Sequence, residues 1–374
     1  MAIWIRCVFN GEIMKIHIVC YDDVHTWILG KFAIKMDENL HKLGIQSTIS
    51  DKPDLNADIN HHLIYTNYNG EKTTIDTVMI THIDRMSKFN MLQNQMKAAG
   101  LGICMSRETM VNLAKMGIEK NKLCYVNPAH DGTIPIKKIV VGIASRTYID
   151  GRKNEYYLNK LADKLNHRYF KFKIFGNGWE PQVKYLNENN FEVEYTEQFD
   201  YDKYLQFIPS LDYYLYMGTD EGQMGFVDAL SAGVKTIVVP QGYHLDANNG
   251  ITHPFTTYNE LENILLQIQK EKELLVSSVD AWNWFNYTKK HVEIWQYLID
   301  NKKIRSDFSD GINSLWEHEE YDDGFKKKES IKLKKNEHKQ IRHALYTIVK
   351  TNGLLGSIRY VAGKFFNRLR KKYR

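Results

Sequence analysis

Cysteine is scarce: there are four in 374 residues, Cys7, Cys20, Cys104 and Cys124, with no CxxC pair and no metal-ligand spacing. That excludes a disulfide scaffold and a structural zinc site, and it reads as free thiols in a reducing compartment. Proline is scarce too, at seven, which argues against long disordered linkers. No apolar run approaches the ~18 residues of a membrane-crossing helix. Residues 1–13, MAIWIRCVFNGEI, are too short and too polar after Phe9 for a secretion signal. They are expected to be an extension, or the product of an upstream start codon, outside the fold. The turn Gly176-Asn177-Gly178 lacks the third glycine of a dinucleotide fingerprint, which disfavours a nicotinamide cofactor.

What the chain has in plenty is apolar and aromatic residue: 43% hydrophobic, 12% aromatic and 23 tyrosines. That supports a sizeable core, and the length makes two domains the natural expectation, since single cores stop growing near ~250–300 residues. The charge is unevenly placed. From Lys326 to Arg374 there are 16 Lys or Arg against Glu329 and Glu337, a net of +14. The whole chain is +5, so the rest is acidic, at about −9. An acidic body with a basic tail implies a polyanionic partner for the tail.

Strand, loop and helix alternate from Met14 onward. MKIHIVCY is strand-like, and Phe32 to Leu43 is a helix pattern closed by Gly44. Strands follow at His62–Tyr65, Thr77–Ile80 and LGICMS, with helices expected over Met91–Ala99 and Arg107–Met116 and Ser106 as a cap. A second alternating block starts near Lys138: strands at Ile139–Ile143, Phe170–Phe175 and Leu211–Tyr216, and a helix over Glu155–Leu165. Asn127 to Gly132 is a turn-rich hinge candidate. The expected class is α/β: two Rossmann-like doubly wound domains facing a cleft, at 14–135 and 136–280. The aromatic helix pattern of 281–300 follows, then a linker and a basic helical tail over 301–374.

Residues 217–246, MGTDEGQMGFVDALSAGVKTIVVPQGYHLD, carry most of the functional signal. Asp228, Ala229, Leu230 and Ala232 read as the start of a helix ended by Gly233, and Val234 to Val239 as a buried strand. Asp220 lies on the loop before that helix. Two carboxylates at a helix N-terminal region can grip the hydroxyls of a sugar and a ribose while the helix end faces a diphosphate.

The spacing Asp220, seven residues, Asp228-Ala229, then Ala232-Gly233 resembles the donor motif of retaining glycosyltransferases of fold type B, the family 4-like group. That motif has Glu at both positions where this chain has Asp. The resemblance covers roughly residues 14–300 and implies the GT-B fold, with the helix of 281–300 crossing back onto the first domain. It implies a nucleotide diphosphate-sugar as donor, with no other cofactor and no metal, and the chain has no DxD strand motif of the metal-dependent kind. Carried onto these positions, Arg146 and Lys153 hold the diphosphate, with Arg152 as the alternative to Arg146. Gly176 and Gly178 lie beside the nucleotide, Asp228 takes the ribose hydroxyls, and Asp220 or Glu221 takes the donor sugar. The backbone around Gly225, from Gln223 to Phe226, offers N–H groups. His82, with Asp84, is placed near the acceptor and the donor sugar, and His25 and Gly30 in the acceptor loop, where the family's double glycine is missing. A structural role is the reading for His244.

The tail from 338 to 374 repeats Ile341, Leu345, Ile348, Val349, Leu355, Ile358, Val361, Phe365 and Leu369 near helical period, with cations on other faces. A basic amphipathic helix suits an anionic membrane surface; the apolar stripe favours that, or a partner protein, over nucleic acid. Gly353, Gly356 and Gly363 weaken the helix in water. The expectation is a retaining, metal-independent transferase, cytoplasmic and peripheral at the inner face of a bacterial plasma membrane, acting on a glycan or lipid-linked acceptor in cell-surface polysaccharide synthesis. Two rivals remain: a nucleotide-sugar epimerase or hydrolase, and a degenerate sugar-nucleotide-binding module.

Overall fold

The computed structural model describes residues 8–9, 12–70, 74–301 and 323–372. The chain forms two compact units. One takes in the chain up to Asp131 and again from Ala281 on; the other is Gly132–Asp280.

In the first unit, β1 (Val8–Phe9) and β2 (Glu12–Ile13) pair with each other, antiparallel, and with no other strand among the described residues. Six strands then build a parallel sheet: β3 (Lys15–Val19), β4 (Gln46–Ser50), β5 (Ile59–His62), β6 (Asp76–Ile80), β7 (Leu101–Cys104) and β8 (Leu123–Tyr125). Their spatial order is β4-β3-β5-β6-β7-β8. The helices are α1 (Ile28–Lys42), α2 (Met86–Gln95) and α3 (Arg107–Lys115), the last capped by Ser106, whose hydroxyl accepts the Thr109 N–H at 3.1 Å. Phe32, Ala33, Met36 and Leu40 of α1 recur at helical spacing and are buried against the sheet.

In the second unit the strands are β9 (Ile139–Ala144), β10 (Phe170–Phe175), β11 (Glu192–Thr196), β12 (Tyr213–Tyr216), β13 (Lys235–Val238) and β14 (His253–Pro254). All pair in parallel, in the order β11-β10-β9-β12-β13-β14. Counted within the unit this is 3-2-1-4-5-6, the doubly wound order whose direction reverses between β9 and β12. Helices α4 (Tyr156–Ala162), α5 (Glu180–Glu188) and α8 (Tyr258–Ser277) bury Leu158, Leu161, Leu186, Leu261 and Leu265 in one cluster. Helices α6 (Tyr201–Phe207) and α7 (Met224–Ser231) bury Phe207, Phe226 and Ala229 in another.

After Asp280 the chain returns to the first unit as α9 (Trp284–Asn301). Its Trp284, Tyr287, Trp295 and Leu298 join the core with Phe32 and Met36. Helix α10 (Asp323–Lys372) belongs to the same unit. The linker expected before it, and Cys7, fall outside the described residues. Its Leu333 is 2% exposed, in the cluster that α2 and α3 form with the sheet, a burial worth roughly 1.5–3 kcal/mol. No described helix is long and apolar enough to cross a membrane.

Several expectations are corrected. The strand of His62–Tyr65 lies at Ile59–His62, since Tyr65 already begins a 3-10 turn. The helix of Met91–Ala99 lies at Met86–Gln95, because Arg85 is extended and the chain turns helical straight after it. The motif helix starts at Met224: Gly222 has φ +126° and Gln223 is extended, so the turn is complete before Phe226. Asp228 therefore sits in the second turn and not at the helix start. Gly30 is not in a loop but in the first turn of α1, where a Cβ would lie 2.0 Å from the Val24 carbonyl oxygen.

Candidate functional site

The loop after β9 and the loop after β12 flank the point where strand order reverses, and they are stitched together. The Asn154 amide donates to the Met217 carbonyl at 2.8 Å, and the Thr219 N–H donates to the Arg152 carbonyl at 3.0 Å. The Gln223 side chain donates to the Ala144 carbonyl at 2.6 Å, fixing the start of α7 to the end of β9. In doubly wound sheets ligands bind outside the carboxyl ends of the strands at such a point.

Three cations gather here around one ring. The Tyr148 centroid lies 4.7 Å from the Arg146 guanidinium carbon, 4.5 Å from that of Arg152 and 5.6 Å from Lys153 Nζ. The Arg146 Nε donates to the Tyr148 hydroxyl at 2.6 Å. Arg152 is forked onto Asp150, through Nε at 2.8 Å and Nη2 at 2.5 Å. Lys153 is buried, 5% exposed, and its ammonium donates to Asp220 at 2.7 Å and to the Tyr216 hydroxyl at 2.8 Å. Among the described residues, then, Arg146 is the cation of this group without a carboxylate partner.

Both oxygens of Asp220 are occupied, one by Lys153 and the other by the Tyr216 hydroxyl. Burial works against its charge, but these two bonds hold its carboxyl below the usual range. Glu221 beside it is exposed. On α7, Asp228 accepts the Tyr204 hydroxyl at 2.6 Å. Burial, then this carboxylate, pushes the Tyr204 phenol well up, so it stays a donor. His244 is fully buried; its Nε2 accepts the Gln223 N–H at 3.1 Å and its Nδ1 meets the Val239 carbonyl at 3.1 Å. Burial lowers its pKa, and its part is to hold the α7 entry in place.

The glycines owe their identity to the protein's own packing. Gly176 has φ +132°, and a Cβ there would lie 2.3 Å from the Ser145 carbonyl oxygen. At Gly178, φ +92°, it would lie 2.1 Å from the Thr147 hydroxyl. A Cβ on Gly225 would meet the Tyr214 hydroxyl at 2.6 Å.

Some of these residues border a pocket of about 500 Å³ that runs over the ends of β9, β10 and β11. Arg146, Gln223, Gly225 and Asp228 line it on the side of the reversal point; Glu197, Phe199 and Tyr201 line it beyond β11. Asp220 and Lys153 are not among the lining residues. Another hollow, of about 490 Å³, lies at the amino ends of β9, β12 and β13, beside Lys137, Asp212 and Lys235, away from the strand ends that carry ligands in this fold.

In the first unit, a pocket of about 620 Å³ takes in Asp22, Trp27, His82, Arg85 and Lys88, past the ends of β3, β5 and β6. His82 Nε2 lies 3.3 Å from Lys88 Nζ. Asp84 pairs with Lys88 at 2.9 Å and accepts the Gln340 amide of α10 at 2.9 Å. Burial opposes its charge, yet Lys88 and Gln340 bring its carboxyl down to about 2. His25 is exposed, its N–H donating to the Asp23 carboxylate at 2.8 Å, and neither it nor Gly30 lines the pocket.

The sequence alone does not mark Tyr148, Tyr204, Tyr216, Glu197 or the side-chain role of Gln223. No linear signal marks one tyrosine among 23; only the fold brings these rings to the charged groups. Among the described residues no cluster of three His, Cys, Asp or Glu could hold a metal ion.

No protein-family model matches the sequence, and no curated protein matches it. Solved structures similar to the chain include the apo form of the lipopolysaccharide outer core galactosyltransferase WaaB, at 12% identity and a TM-score of 0.31, over 74% of this chain and 97% of that one. Anabaena HepE in complex with UDP-glucose is similar at 13% identity and a TM-score of 0.31, over 75% and 99%. A glycosyltransferase from Rickettsia africae is similar at 12% and 0.29, over 77% and 99%. TM-scores of this size leave the case to the residues themselves.

Proposed function

We propose that the chain is a glycosyltransferase that moves a sugar from a nucleotide diphosphate-sugar to a glycan or lipid-linked acceptor. The observation that carries this is the group of Arg146, Arg152 and Lys153 around Tyr148, set at the strand-order reversal beside a pocket that contains Asp228. A diphosphate brings about two negative charges and needs cations that are already in place. Arg146 is the first of these, because it gives up no carboxylate to bind. Lys153, paired with Asp220 and set back from the pocket lining, holds the loops after β9 and β12 together behind it. The α7 backbone near Gln223 and Gly225 lies on the same side.

Asp228, oriented by Tyr204, takes a ribose hydroxyl. Glu221, exposed and beside Asp220, is the better candidate for the donor sugar, since each oxygen of Asp220 already carries a bond to Lys153 or Tyr216. In the transfer, the bond from the sugar's anomeric carbon to the diphosphate oxygen breaks. A bond from that carbon to the acceptor oxygen forms, on the same face, with retention. The acceptor's proton passes to the leaving diphosphate, whose charge the cations stabilise. No metal is needed in this scheme. The second unit binds the donor, and the first, through the pocket at His82, Arg85 and Lys88, receives the acceptor. The basic apolar face of α10 binds an anionic membrane surface from the cytoplasmic side.

The test is release of free nucleoside diphosphate from a panel of nucleotide-sugars in EDTA, with and without a bacterial membrane lipid extract. The account expects release that requires the extract and survives EDTA. Release without any acceptor would favour a hydrolase, and donor binding with no release under any condition would favour a binding module.

A further inference from the structure

Three charged side chains line the 500 Å³ pocket of the second unit: Arg146, Asp228 and Glu197. The first two stand toward the strand-order reversal, where the nucleotide reading places diphosphate and ribose. Glu197 stands at the other end, one residue past β11, and that reading gives it no task. Resting on the reading of this pocket as a nucleotide site, we propose that it selects guanine, with Glu197 the residue that reads the base, so that the donor is a guanosine diphosphate-sugar.

The polarity of the pocket fixes which end takes the base. The cations and the α7 entry claim the diphosphate, so the base lies toward β11. There Phe199 and Tyr201 are 71% and 63% exposed, large aromatic faces for a flat ring to stack on. Glu197 is aimed by its neighbour: the Asn177 amide donates to its Oε1 at 3.4 Å, a weak bond. Its Oε2 accepts no bond among the described residues.

An ionised carboxylate only accepts, and its two oxygens match two parallel donors. Guanine presents such a pair on one edge, N1–H beside the N2 amino group. Uracil offers a single N3–H between two carbonyl oxygens, which a carboxylate repels. Adenine and cytosine each offer an amino group beside a ring-nitrogen lone pair. A group built to receive donors discriminates against bases that lack them. Glu197 is solvent-exposed, so screening leaves a preference well short of a fully buried contact.

The test is calorimetric titration of GDP, UDP, ADP and CDP, each alone, into the full chain and into Glu197→Gln. GDP should bind about tenfold tighter than UDP or more, as expected of a charge-assisted pair at an exposed site. Glu197→Gln should remove most of that preference while changing UDP affinity less than about twofold. Because Glu197 is exposed, the variant's melting temperature should match the parent's. Equal or tighter binding of any other base, or a guanine preference that survives Glu197→Gln, would overturn the inference and leave the nucleotide site standing. Failure of every nucleoside diphosphate to bind would remove the nucleotide reading itself, and this inference with it.

Discussion

At the scale of residues, the account turns on what each carboxylate is already doing. Asp220 neutralises a buried ammonium. Asp220→Asn keeps the shape but leaves Lys153 with one anionic partner fewer, and should cost up to about 3 kcal/mol in thermal unfolding. Glu221→Gln should leave stability within about 0.5 kcal/mol, while turnover falls. If Glu221→Gln turns over at the parental rate, Glu221 does not hold the donor sugar. Lost turnover in an Asp220 variant is not a test of sugar contact, since the same change disturbs Lys153. Spacing made Asp220 and Asp228 legible as a pair, and the resemblance to the transferase motif added Arg146 and Lys153. Spacing could not show that Asp220 is spent on Lys153, because that pairing joins loops 67 positions apart.

At the scale of elements, α7 and α9 show what periodicity can and cannot fix. Strand β10, FKFKIF, stood out by its alternation of aromatic residues with lysine, and Gly44 marked a helix end that the structure places at φ +74°. Strand β11, EVEYT, went unseen because its charged residues alternate at a half-exposed sheet edge, so the position of Glu197 went unseen with it. Helix α9 was visible as an aromatic run, and the resemblance implied its return to the first domain, but the histidine it sets against β5 was not visible. Its His291 is fully buried, with its ring 5.2 Å from that of His61 on β5 and edge-on to it. The His291 Nδ1 meets the Tyr287 carbonyl at 2.9 Å, and the His61 Nδ1 meets the Thr77 hydroxyl at 2.9 Å. Burial lowers both, His61 well below its ordinary value and His291 from 6.5 to about 4. Both folded values lie below the unfolded one, so the unfolded chain takes up protons that the folded chain refuses. The stability is then complete above about pH 6.5 and falls as pH drops toward 4, by on the order of 3 kcal/mol for His291 alone. Thermal unfolding of the parent and of His291→Gln between pH 7.5 and 4.5 should show a shallower decline in the variant. Equal slopes would contradict the assignment.

At the scale of the whole molecule, charge separates body from tail, and the tail is partly anchored. Leu333 is buried on the first unit and Gln340 bonds Asp84. From Ile341 to Thr347 every side chain is exposed, Ile341, Leu345 and Tyr346 among them. The sequence reading placed the basic helix from 338; the structure starts it at Asp323, because Leu333 gives the earlier turns a core to pack on. Deleting residues 341–374 should therefore abolish sedimentation with vesicles of anionic lipid while leaving the melting temperature nearly unchanged. Binding by the full chain should weaken as salt rises, since each cation near the surface is worth about 1 kcal/mol and is screened. Equal binding to neutral and anionic vesicles would contradict the electrostatic part.

The central claim is that a nucleotide diphosphate sits over β9, β10 and α7 of the second unit. Hydrogen–deuterium exchange tests it most directly, with GDP, UDP, ADP and CDP each added in turn at millimolar concentration. The account predicts that at least one slows exchange at residues 144–148, 176–178 and 223–228, and that Arg146→Ala removes that protection. Protection confined to other segments, or none with any of the four, would contradict it.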